Sequence, residues 1–109
     1  MSMTAGIADV LTLAKAVGIP AAEAATLFDV FNPAATIGVR VKRIIEGDYA
    51  HPSWELAMAR KDAGLMLEAA AAAHTSLIVT PAIAARMDAA IAAGHGADDW
   101  TVIAVEPKS

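Results

Sequence analysis

Breaks dominate this sequence. Gly18-Ile19-Pro20, Asn32-Pro33, Gly47-Asp48, Thr80-Pro81 and Gly94-His95-Gly96 divide it into segments whose apolar residues recur every three or four positions. Glycine suits the left-handed residue that ends a helix, and proline the first turn of the next, where its missing amide is no loss. The spacing predicts helices from Thr4, as N-cap, to about Val17, from Pro20 to about Phe31, from Pro33 to about Glu46, from Pro52-Ser53 to about His74 and from Pro81 to Ala93. Asp98 or Asp99 caps a last short helix through Trp100, Ile103 and Ala104, and Glu106 to Ser109 forms a frayed tail. Ala24, Leu27, Phe28 and Phe31 are expected to face inward, as are Ile37, Val41, Ile44 and Ile45.

Alanine makes up about a quarter of the chain, and it has both the highest helix propensity and a side chain small enough for close helix packing. Only Ser76 to Val79 could form an extended run, and a lone strand has no partner. The expected fold is therefore all-α, a compact bundle of about six helices in one domain over residues 1–109. With 57% apolar residues in so small an interior, some apolar surface is expected to meet a partner chain or another domain.

The net charge of −4 argues against nonspecific binding to nucleic acid, which depends on neutralising phosphates. The absence of cysteine removes disulfide and thiolate chemistry. No apolar run is long enough for a membrane span, and the first residues lack a secretory pattern, so a cytoplasmic location is expected. His51, His74 and His95 lack metal-ligand spacing, and no serine sits in a Gly-x-Ser-x-Gly setting. Arg40, Lys42 and Arg43 read as a solvated basic face, or as an adenosine-phosphate contact if another domain supplies the nucleotide.

The longest helix carries the most suggestive pattern. Trp54, Met58, Lys61 and Leu65 are spaced to form one stripe, apolar except for a single ammonium. Ser53 is its candidate N-cap. Lys61 reads either as a lysine whose stem lies on apolar surface while its ammonium reaches water, or as one aimed at an anionic or carbonyl group at a cleft edge. Asp62 lies about 100° further round the helix, so its position implies no direct pair with Lys61.

Glu46-Gly47-Asp48-Tyr49, Pro52-Ser53-Trp54-Glu55-Leu56, Arg60-Lys61-Asp62, Ala89-Ala90 and Gly94-His95-Gly96-Ala97-Asp98-Asp99 occur in an order that resembles the C-terminal helical domain of the β-hydroxyacid dehydrogenases. This is the family of 3-hydroxyisobutyrate dehydrogenase and tartronate semialdehyde reductase. Ala8 to Ala14 and Gly18-Ile19 fit the same domain, although Asp9 stands where the family usually has Glu. The resemblance implies a bundle like the 6-phosphogluconate dehydrogenase C-terminal domain, closing a nicotinamide and substrate cleft and mediating oligomer assembly. It implies NAD or NADP as cofactor, held mainly by an N-terminal Rossmann domain, and a small hydroxyacid or semialdehyde as substrate. Lys61 would lie near the nicotinamide and substrate, Trp54 (where the family usually has Phe) would wall the pocket, and Asp62 would support the helix or contact the cofactor region.

The family's catalytic lysine and asparagine correspond to positions upstream of this sequence, and no Gly-x-Gly-x-x-Gly unit is present. The expectation is thus a detached or truncated C-terminal domain, inactive alone and with no catalytic residue of its own. An alternative is a stand-alone helical dimerisation module. An imine-reductase-like relative is a third reading, compatible with Gly94-His95-Gly96 but less so with Lys61-Asp62.

Overall fold

The computed structural model describes residues 1–107; the expected frayed tail extends beyond them, with 108 and 109 outside the described residues. The protein is all-helical. Helices α1 (Ser2–Ala16), α2 (Ala21–Ala25) and α3 (Leu27–Val30) precede a 3-10 turn at Pro33–Thr36. Next come α4 (Ile37–Glu46), α5 (Leu56–Ala72), α6 (Thr80–Ala90), a π turn at Ile91–His95 and a 3-10 turn at Trp100–Ala104. Among the described residues the extended pairing is an isolated antiparallel bridge between Glu55 and Asp99.

The glycine signals act as expected. Gly18, Gly47 and Gly94 all take positive φ, and the Ile19 amide donates to the Ala14 carbonyl at 2.8 Å, closing the end of α1. His74 takes the same conformation, with φ 56°, just past α5, while the Thr75 amide donates to the Ala70 carbonyl at 3.0 Å.

Several boundaries differ from expectation. Thr4 does not cap α1, which starts two residues earlier with Met1 at the N-cap. The helix expected over 20–31 is divided at Thr26, whose hydroxyl bonds back to the Glu23 carbonyl at 2.6 Å. Ser53 does not cap α5. That helix starts at Leu56, and its first amides, from Leu56 and Ala57, donate to the carbonyls of Asp98 and Gly96 at 2.8 and 2.9 Å.

The chain forms two units. The first comprises Met1–Asn32 and Ala63–Ile83, and the second comprises Pro33–Asp62 with the chain from Ala84 on, so α5 and α6 each contribute to both. In the first unit Ala14, Ala63, Ala70 and Leu77 are buried, as are Asp9 and Thr80. In the second, Leu56, Ala59, Ala84, Met87, Ala90 and Val102 are buried with Asp99 and Thr101. Full burial of a leucine such as Leu56 stabilises by about 2 kcal/mol, whereas each alanine contributes less and lets backbones approach closely. Polar contacts therefore position much of the structure.

The apolar faces expected to point inward on α2, α3 and α4 do not. No residue of these helices is buried; Leu27 and Phe31 are each 50% exposed and Ile45 is 79% exposed. Ala24 is half-buried, while Phe28, Ile37, Val41 and Ile44 are exposed. The cause at α4 is visible. Arg43 reaches Asp99 and Arg40 lies over the Trp100 ring, so the helix is held by its polar side.

Candidate functional site

Asp99 is the centre of the second unit. It is the N-cap of the last 3-10 turn, one of the two candidates that the sequence offered, and its side chain is fully buried. Its Oδ2 accepts from the Thr101 amide at 3.0 Å and from the Thr101 hydroxyl. Its Oδ1 accepts from the Ser53 amide at 2.9 Å, from the Ser53 hydroxyl at 3.1 Å and from the Arg43 guanidinium. Burial alone would raise the Asp99 carboxyl; the hydrogen bonds from Thr101 and then Ser53 outweigh it and hold the group down at about 2.

Backbone bonds also join the segment from Tyr49 to Ala57 to the segment from Gly96 to Trp100. The Asp99 amide donates to the Tyr49 carbonyl at 2.8 Å, and the Trp100 amide to the Trp54 carbonyl at 2.9 Å. The Trp54 ring meets Trp100 edge-on, with centroids 5.9 Å apart and planes at 62°. On the other side the Arg40 guanidinium carbon lies 5.2 Å from the Trp100 ring centroid, a cation–π arrangement. Trp54 is left 41% exposed.

Trp54 lies two residues before α5 and is held by the segment ending at Trp100, rather than belonging to the helical stripe with Lys61. Met58 and Lys61, one turn apart on α5, are both exposed. Arg60 is committed to Asp88, with its Nε at 2.7 Å and its terminal nitrogen at 3.3 Å from the two carboxylate oxygens. That hydrogen-bonded pairing raises the Arg60 pKa further. The Lys61 side chain has no hydrogen bond or ion pair among the described residues, and neither does that of half-buried Asp62. No hydrogen bond, ion pair or ring contact links Trp54, Lys61 and Asp62 to one another. What this face offers is an uncommitted ammonium, suited to an anionic group as a point charge, and an exposed indole surface.

Asp9 is the residue whose role sequence reasoning missed. Its buried side chain accepts from the amides of Ile78, Val79 and Thr80, the latter two at 3.0 Å, and from the Thr80 hydroxyl at 2.9 Å. A carboxylate from α1 thus caps the start of α6, where unpaired amides and the helix dipole favour negative charge. Burial would raise its pKa; the bonds from Ile78, Thr80 and Val79 lower it below the ordinary aspartate value. The available signal was its place as the single acid in α1, flanked by Ala8 and Val10.

His95 Nδ1 lies 2.7 Å from Asp98 and His51 Nδ1 lies 3.0 Å from Asp48, each pair three residues apart in sequence. Among the described residues no three His, Asp or Glu side chains converge as a metal-ligand set, and no helix is long and apolar enough to cross a membrane.

A scan against protein-family models gives no match to this chain, and a search of curated proteins gives no matching relative.

Proposed function

We propose that this chain is the helical half of an NAD(P)-dependent oxidoreductase resembling 3-hydroxyisobutyrate dehydrogenase, acting in the cytoplasm on a small hydroxyacid or semialdehyde. The observation that carries this reading is Lys61: an exposed ammonium with no hydrogen-bond or ion-pair partner among the described residues, beside an arginine that is committed to Asp88. The joining of Pro52–Leu56 to Gly94–Asp99 adds support, because the ordered motifs come together in one unit.

In this reading Lys61 attracts the negative charge of substrate or dinucleotide, and the exposed face of Trp54 walls the nicotinamide end of the cleft. Asp62 supports the lysine's helix or meets the cofactor. The nicotinamide supplies hydride transfer, and a Rossmann partner domain supplies most of its binding energy. The 109 residues alone bind NADH or NADPH weakly and do not turn over.

The test joins the chain to the dinucleotide-binding half of a tartronate semialdehyde reductase, carried through that enzyme's catalytic lysine and asparagine, in place of the rest of its helical domain. NAD(P)H-dependent reduction of the semialdehyde should appear and should fall roughly 100-fold in kcat/KM in Lys61→Ala, the effect of losing one well-placed charged contact. A folded chimera indifferent to Lys61→Ala sinks the role given to that residue. Turnover by the isolated 109 residues sinks the reading as a whole.

A second reading, a helical dimerisation module without enzymatic role, is favoured by the uncovered apolar surface of α2, α3 and α4.

A further inference from the structure

In the first unit the ends of α1 and α5 border a pocket of about 390 Å³, lined by Thr12, Lys15, Ala16, Ala73 and Thr75. Thr12 and Lys15 are three positions apart on α1 and so share a face of that helix. Thr75 comes to the same pocket through His74, whose left-handed φ of 56° is uncommon for a residue other than glycine. The residues on either side of that turn, Ala73 and Thr75, both line the pocket. Backbone held in such a conformation clusters at ligand sites.

The polar groups of the pocket are an ammonium and two hydroxyls, and all three can donate. The Lys15 side chain has no ion pair among the described residues. Neither it nor the Thr12 or Thr75 hydroxyl has a hydrogen-bond partner among them. No buried side-chain polar atom lacks a partner among the described residues, so these three groups stay accessible.

A cation is a poor occupant. No carboxylate lines the pocket, and Asp9, the acid of α1, is committed to the start of α6. The carbonyls at the two helix ends are taken as well: those of residues 13–15 and 69–71 each accept an amide from the chain just beyond. Lys15 is held at this end of α1 by the helix itself, because a cation in the last turn meets the dipole favourably.

We propose that this pocket binds a small phosphate monoester. An ammonium attracts phosphate as a point charge, and hydroxyls donate to its other oxygens. The three donors match the three acceptor oxygens of a phosphate monoester, whereas a carboxylate leaves one donor unused. The methyl groups of Ala16 and Ala73 supply apolar wall for the organic part. The volume falls within the range of ordinary small-molecule sites, roughly 300–1,000 Å³. Lys61 belongs to the second unit, so the proposal does not rest on the oxidoreductase reading and stands or falls whether or not a chimera turns over.

The test is an amide NMR titration of the full chain with glycerol 3-phosphate, with inorganic phosphate and glycerol as comparison probes. Saturable shifts are expected at residues 12–16 and 73–75, with a Kd of about 1 mM or tighter. Inorganic phosphate should bind at least about 3-fold more weakly, and glycerol should leave the spectrum unchanged. Lys15→Ala should weaken ester binding about 10-fold, and Lys15→Arg should keep most of it. Thr12→Val and Thr75→Val should each weaken it about 3-fold, with the helical circular dichroism retained in every variant. The absence of saturable shifts up to about 20 mM ester overturns the proposal. So do shifts centred on Arg40 and Lys42, inorganic phosphate binding as tightly as the ester, or an affinity unchanged in Lys15→Ala.

Discussion

Asp9 and Asp99 are both buried carboxylates, one in each unit, and they are satisfied by different chemistry. Asp9 receives only neutral dipoles, three amides and a hydroxyl at the start of α6. Asp99 receives two amides and two hydroxyls as well, but also the guanidinium of Arg43, whose side chain is only 19% exposed. The difference lies in what is left behind when the acid is removed. Without Asp9, the stranded groups are neutral and Ile78 is already exposed to water. Without Asp99, a largely buried cation loses its counter-charge.

The largest expected effect is therefore at Asp99. Asp99→Ala should destabilise by about 4 kcal/mol in urea unfolding at neutral pH, because it strands Arg43 together with the Ser53 and Thr101 donors. Asp9→Ala should cost about 2 kcal/mol, the upper range for a lost helix cap. Equal values would erase the distinction between a neutral and a charged setting.

Acid titration should separate the two sites from the rest of the surface. Both carboxyls have folded-state values below the ordinary one of 3.8. The stability they lend is full above about pH 4 and drains as the pH falls through the folded value. For Asp99 the loss between pH 4 and about pH 2 should amount to about 2 kcal/mol, and Asp99→Asn should flatten that part of the profile. The smallest effect is expected from Ser53→Ala, about 1 kcal/mol by the same urea assay, since the hydroxyl bond is lost and the Ser53 amide stays on Asp99. A loss as large as that of Asp99→Ala would make Ser53, rather than the arginine, the partner that matters.

Local signals were legible in the sequence, and distant ones were not. Gly18, Gly47 and Gly94 act within a few residues of themselves, so their spacing was enough to find them, and the last cap was narrowed to Asp98 or Asp99. Ser53 was misassigned because its residue type fits a cap, while the carboxylate that claims it lies 46 positions away. On α4 the periodicity identified the apolar stripe correctly but not its direction. A stripe says which residues share a face, and the inward side was decided by Arg43 and Asp99, which are 56 positions apart. Of the candidate site, both readings of Lys61 have its ammonium reaching outward, and the pairing of neighbouring Arg60 with Asp88 had no sequence signature.

The cap that Asp9 places on α6 also has a consequence in time. Its donors lie 69 to 71 residues along the chain. Closing so long a loop is entropically slow, and contacts of that separation form after local helices have set. Asp9→Ala should thus speed unfolding while leaving the refolding rate nearly unchanged in stopped-flow experiments. The first turn of α6 is then the last part of that helix to become fixed and the first to open. How long it stays closed is governed by a residue on a different helix.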